Sequence, residues 1–117
     1  MKTVGINFNL FNFMRIKDIP KPERPREKLL KYGADKLSDS ELLAILLRTG
    51  TKGKSAIEIA DEIINNVGGS FKGLAGKEIE EIMKIPGIKK DKIATVAAAL
   101  EISRRISKQI LKDKGII

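Results

Sequence analysis

Apolar residues along this chain recur at spacings of three and four rather than in alternation, and that rhythm predicts helices from end to end. Leu42, Leu43, Ile45, Leu46 and Leu47 follow Ser38-Asp39-Ser40-Glu41. The tetrapeptide is a capping box, in which a Ser hydroxyl and a Glu carboxylate three residues on each accept from otherwise free amides, and the helix it opens is expected to reach about Arg48. Ser55-Ala56-Ile57-Glu58 repeats the device. Its helix presents Ala56, Ile59, Ala60 and Ile63 on one face and is predicted to end at Val67-Gly68-Gly69.

Upstream, Pro20, Pro22 and Pro25 predict an extended lead-in from Ile16 to Pro25, because a residue before proline avoids helical angles. A short helix from Arg26 to Tyr32 follows, with Leu29 and Leu30 as its apolar face and Gly33 as its stop. Downstream, Ser70 is expected to cap one turn through Leu74, a helix carries Ile79, Ile82 and Met83, and a long last helix runs from about Lys90 to Lys112. Nothing alternates with period two for long enough to predict a strand. Residues 1–13 read as a weakly ordered extension, and residues 14–117 as one all-α domain, a compact bundle of about six helices.

The chain also resembles itself at a shift of 37 residues. Glu41 falls on Glu78, Ile45 on Ile82, Gly50 on Gly87, Lys52 on Lys89, Ala60 on Ala97 and Ile63 on Leu100, each match keeping its chemical type. Each copy reads as a helix, a short turn with a glycine and a second helix, so a helix-hairpin-helix is expected twice.

Composition narrows the chemistry. With no Cys and no His among 117 residues, disulfides, thiolate nucleophiles, imidazole bases and the usual zinc ligand sets are excluded. No cofactor, metal site or catalytic residue is therefore expected, and Glu78, Glu80 and Glu81 are assigned only to the favourable charge of a helix start. Met1 to Met14 is interrupted by Asn7, Asn9 and Asn12 and lacks a cleavage site, so neither a leader nor a membrane span is read, and a cytoplasmic protein is expected.

The net charge of +8 is unevenly placed. From Arg15 to Lys36 eight basic residues oppose four acidic ones, from Leu37 to Met83 five oppose eight, and from Lys84 to Ile117 nine oppose three. Cations gathered at both flanks suit a polyanion, whose counterions they release.

The two predicted turns are where that charge meets free backbone. In the second, Gly87 after Pro86 turns the chain, Ile88 anchors it, the amides from Ile88 to Lys90 offer donors, and Lys89, Lys90 and Lys92 add charge. In the first, the Thr49 and Thr51 hydroxyls stand with Gly50, Lys52, Gly53 and Lys54 beside the next helix start. This first turn is a near miss to a nucleotide-binding phosphate loop, since Arg48 stands where that pattern needs glycine and a helix precedes it. On the last helix, Arg104, Lys108 and Lys112 line one face, read as a solvated one, with Glu101 pairing to Arg105.

The runs Pro25-Arg26-Glu27-Lys28-Leu29-Leu30 and Leu37 to Ser55, above all Leu46-Leu47-Arg48-Thr49-Gly50-Thr51-Lys52-Gly53-Lys54-Ser55, closely resemble the amino-terminal domain of the RadC family, long labelled DNA repair proteins. Ile85-Pro86-Gly87-Ile88 and Lys92 resemble that family's hairpin, and the resemblance covers about Met14 to Arg105. It implies a tandem helix-hairpin-helix fold of the RuvA domain 2 type. This chain reads Gly87-Ile88-Lys89 where such hairpins usually read Gly-Ile-Gly. The family normally continues into a metal-dependent JAB/MPN domain whose zinc site needs histidines, which this chain lacks, so a truncated or stand-alone domain without hydrolase activity is expected. The function expected from residues and resemblance together is sequence-independent DNA binding through the phosphate backbone. The rival is a protein-interaction or regulatory module that positions a JAB/MPN domain.

Overall fold

The computed structural model describes residues 15, 16, 19, 20, 23–51, 53–76, 79–85 and 88–117. The chain is all-α: among the described residues there are five α-helices, short 3₁₀ turns and no strand. They are α1 (Pro25–Tyr32), α2 (Asp39–Leu47), α3 (Ala56–Asn66), α4 (Ile79–Met83) and α5 (Lys90–Asp113), with 3₁₀ turns at Ala34–Lys36 and Phe71–Gly76. The extension at residues 1–13 lies outside the described residues.

Both expected capping boxes form. The Ser38 hydroxyl accepts from the Glu41 amide at 3.1 Å while Glu41 Oε1 accepts from the Ser38 amide at 3.0 Å. Ser55 and Glu58 do the same at 3.0 and 3.1 Å. Each box satisfies two donors that a helix start leaves open, which fixes where α2 and α3 begin. Glu41 does more than cap, because its other oxygen accepts from the Lys28 ammonium at 2.6 Å and so ties α1 to α2.

Helix α3 runs through the middle of the core. Ala56, Ile59, Ala60 and Ile63 are buried along one face, with Ile57, Ile64 and Val67 beside them. Leu43, Ala44 and Leu47 of α2 pack most extensively against that face, and Leu74, Ile82, Ile85, Ile93 and Val96 close the core from the second half of the chain. The small residues Ala44, Ala56 and Ala60, each at most 2% exposed, let α2 and α3 approach closely. Ile19, from the proline-rich lead-in, is also fully buried and joins the core.

Two details differ from the sequence-based expectation. Leu30, expected inside with Leu29, is 79% exposed, on the side of the short helix α1 that nothing among the described residues covers, while Leu29 is half-buried. Helix α5 outruns the bundle: Lys92, Ile93 and Val96 are buried, whereas Ile102 to Ile117 are all exposed.

Candidate nucleic-acid interface

The turn from α2 into α3 begins at a strained residue. Arg48 adopts φ 70° and ψ −56°, and the Thr49 amide donates back to the Leu47 carbonyl at 2.8 Å. This is a γ-turn of the positive-φ kind, a geometry that costs a non-glycine residue about 1–3 kcal/mol and persists only where its surroundings enforce it. Here the enforcing group is Lys92. Its ammonium donates to the Leu47 carbonyl at 2.5 Å, to the Thr49 carbonyl at 2.7 Å and to Thr49 Oγ1 at 3.1 Å. A cation at the C-terminus of α2 also matches the negative end of that helix.

Lys92 is 8% exposed. Burial pushes its ammonium below the ordinary lysine value, Asp91 works against that shift, and the positive charges of Lys89 and Arg48 add to it. The side chain reaches from the first turn of α5 to the end of α2, so the start of α5 and the α2–α3 turn lie side by side, with Arg48, Lys89 and Lys90 exposed around the junction.

Past Arg48, Thr49 is exposed and Thr51 half-buried. Thr51 and Lys54 exchange amide-to-carbonyl bonds at 2.9 and 3.0 Å, an isolated antiparallel bridge that closes the loop. Gly50 is needed for that closure, since a Cβ on it would sit 2.0 Å from the Lys54 carbonyl oxygen. Its missing side chain admits the loop's own backbone. Gly53, at φ 87°, is the exposed tip, with open space around it. The Lys54 ammonium pairs with Glu62, and Ser55 is buried as the cap of α3. Lys52 lies outside the described residues.

The two helix starts differ in what they leave open. At α3 the capping box occupies the Ser55 and Glu58 amides. At α5 the capping position is Lys89, which makes no side-chain cap bond, so the first-turn amides next to exposed Lys89 and Lys90 lack one. Ile88 is half-buried against the core, as an anchor should be. Pro86 and Gly87 lie outside the described residues. Beside the first turn, Arg15, Arg24 and Arg48 line a cleft of about 640 Å³ with Thr49, Gly53 and Ala56.

Among the described residues no group of three or more acidic side chains is placed to hold a metal ion, and no helix is long and apolar enough to cross a membrane. The described geometry therefore offers cations and amides around a junction of two turns.

Comparison with known proteins places the chain. Residues 16–94 match the family model described as UPF0758 N-terminal. The chain belongs to the UPF0758 family. This is the RadC-like family that the sequence resembles. A UPF0758 protein of Shewanella sediminis (strain HAW-EB3) is 50% identical over 104 residues, covering 89% of this chain and 46% of the relative. One from Clostridium botulinum (strain Alaska E43 / Type E3) is 47% identical over 105 residues, covering 90% and 45%, and one from Alkaliphilus oremlandii (strain OhILAs) is 44% identical over 97 residues, covering 83% and 42%. This UPF0758 chain thus spans less than half the length of these relatives. No solved structure matches it.

Within the UPF0758 chain, sequence reasoning named both turns but missed what builds them. Lys92, counted with Lys89 and Lys90 as a phosphate contact, is turned inward onto α2. Arg48, the strained residue at the junction, stands in the sequence reading as the end of a helix and as a mismatch to a phosphate-loop pattern, not as part of the site. A contact spanning 43 to 45 residues leaves no trace in local periodicity, and nothing marks an arginine for positive φ. Arg15 and Arg24 were legible as charge, but not as neighbours of the first turn.

Proposed function

We propose that this region binds DNA through the phosphate backbone, without regard to base sequence, by means of two helix-hairpin-helix turns that act as one face. The observation that carries the reading is the Lys92 ammonium bound to the Leu47 and Thr49 carbonyls, which holds the start of α5 against the α2–α3 turn. Around that junction the exposed cations are Arg48, Lys89 and Lys90. The α5 start adds uncapped amides and the positive end of a long helix dipole. Amides and point charges aimed at phosphate read no bases, so affinity should depend on salt far more than on sequence.

The two turns contribute unequally. At the α5 start, donors and charges are open. At the first turn the contributors are Arg48, the Thr49 hydroxyl and the Gly53 tip, since the capping box occupies the Ser55 and Glu58 amides and Lys54 is paired to Glu62. Lys92 serves the site by shaping it, which moves it from contact to scaffold in the scheme. The rival reading, a module that positions a JAB/MPN domain, draws on the apolar groove lined by Leu29, Leu42, Leu46, Phe71 and Leu100 and on the greater length of the relatives.

The test is a labelled duplex titrated at two ionic strengths with wild type and with Lys89→Glu/Lys90→Glu. Wild-type affinity should fall steeply with salt, and the variant should bind more weakly with a shallower salt dependence. Equal binding by both proteins would remove the α5 start from the site.

A further inference from the structure

The cleft beside the first turn holds more than a phosphate face requires. Its volume of about 640 Å³ falls within the range of sites that enclose a small molecule. Three arginines, Arg15, Arg24 and Arg48, stand on its lining, whereas the exposed cations at the α5 start are Lys89 and Lys90. The two cations differ in chemistry. A lysine is a compact point charge, while a guanidinium is a planar, weakly hydrated group that grips phosphate in a fork and stacks against a ring. Half-buried Ile16 and buried Ala56 give the cleft an apolar wall. The bond from Arg24 Nε to the Ile19 carbonyl, at 2.9 Å, fixes the plane of that guanidinium. Glu58 is the acidic residue on this lining, and one of its oxygens accepts from the Ser55 amide.

We infer that this cleft receives an unpaired nucleotide of the bound DNA, its phosphate held by arginine and its base lying against the guanidinium planes and the wall of Ile16 and Ala56. The inference rests on the DNA reading above and names the form of DNA that the site prefers. Position is the first reason. Arg48 and Thr49 belong both to the cleft and to the junction proposed to face phosphate, so a strand bound at the junction runs past the opening of the cleft. Arg48 also holds a positive φ, strain of a kind that gathers at ligand sites.

Enclosure is the second reason. A paired base is stacked within the duplex and cannot enter a pocket, but an unpaired base swings out and stacks on an arginine plane. A phosphate group or an acidic side chain alone would satisfy the guanidiniums and leave the apolar wall unfilled.

Titration with three DNAs tests it: a blunt duplex, the same duplex with a short single-stranded tail, and that tail built from abasic nucleotides, which keep the phosphates and lack the bases. Wild type should bind the base-bearing tail about tenfold more tightly than the abasic one, the effect of one stacked base. Arg15→Gln/Arg24→Gln should bring this ratio close to one. Lys89→Glu/Lys90→Glu should weaken all three complexes and keep the ratio, because those lysines serve the phosphate face. Where the arginine variant lacks the wild-type circular dichroism, the Nε–H resonances of Arg15 and Arg24 in wild type replace it, and they should move further with the base-bearing tail than with the abasic one. Free dAMP should bind far more weakly than the tailed duplex; dAMP binding of equal strength would mark a free-nucleotide site and overturn the inference. Equal affinity for the two tails, or a tenfold ratio that survives in a folded arginine variant, also overturns it, and salt-dependent binding of the blunt duplex would then leave the junction reading standing. Loss of all binding, the blunt duplex included, removes both.

Discussion

Replacing Lys92 by Met removes the ammonium that joins α5 to α2 while keeping an unbranched stem of similar length. Three hydrogen bonds disappear, two of them at 2.5 and 2.7 Å to main-chain carbonyls. Bonds from a charged donor contribute about 1.5–3 kcal/mol each, but two effects reduce the sum. Burying the ammonium is itself costly, since desolvation disfavours its charged form, and Met avoids that cost. In addition, the Leu47 carbonyl keeps its bond from the Thr49 amide, and exposed Thr49 gains water. The net destabilisation should be about 2–3 kcal/mol. In a domain of this size that lowers the melting temperature by about 10–15 °C. Urea unfolding followed by far-ultraviolet circular dichroism measures it, and hydrogen exchange at the Arg48 and Thr49 amides should quicken as the γ-turn loosens. A loss below about 0.5 kcal/mol, with those amides unchanged, would show that Lys92 does not hold the junction.

Three further outcomes follow from the same geometry. Arg48→Gly relieves a strained positive φ at the cost of a more flexible unfolded chain, so it should stabilise the fold by roughly 1 kcal/mol while weakening duplex binding; thermal melts and titration report the two separately. Gly50→Ala forces a methyl group onto the Lys54 carbonyl, so the loop must open, and urea unfolding should show a loss of about 2 kcal/mol or more. Burial, with Glu58 adding to it and a Ser40 hydrogen bond opposing, raises the Asp61 pKa. The folded chain then binds that proton more tightly than the unfolded one, so stability falls as pH climbs from the ordinary aspartate value toward the raised one, and Asp61→Asn should flatten this slope in urea midpoints measured across that interval.

What could be read from the sequence was whatever the chain decides locally. Ser38 with Glu41 and Ser55 with Glu58 are four-residue devices, and both helix starts form where those residues stand. The last helix, expected from Lys90 to Lys112, ends one residue later, at Asp113. The face of Ala56, Ile59, Ala60 and Ile63 needed only helical periodicity, and it is the centre of the core. Long-range decisions were hidden. Lys92 looks like any lysine beside a glycine turn, and only the tertiary placement of α2 supplies the carbonyls that draw it inward. Gly50 is named in the sequence among the phosphate contacts of the first turn, yet the contact its missing side chain permits is with Lys54 of its own loop. Its freedom is used for closure.

The central claim is that the two turns present one phosphate-binding face, and amide chemical shifts of the labelled chain during titration with a short duplex test it most directly. Shifts should gather at Arg48 to Ser55 and at Ile88 to Asp91 in the same titration steps, lose amplitude as salt is raised, and leave Ile102 to Ile117 unmoved. Shifts confined to Arg104, Arg105, Lys108 and Lys112, the other exposed cationic stretch, or present at only one of the two turns, would contradict it.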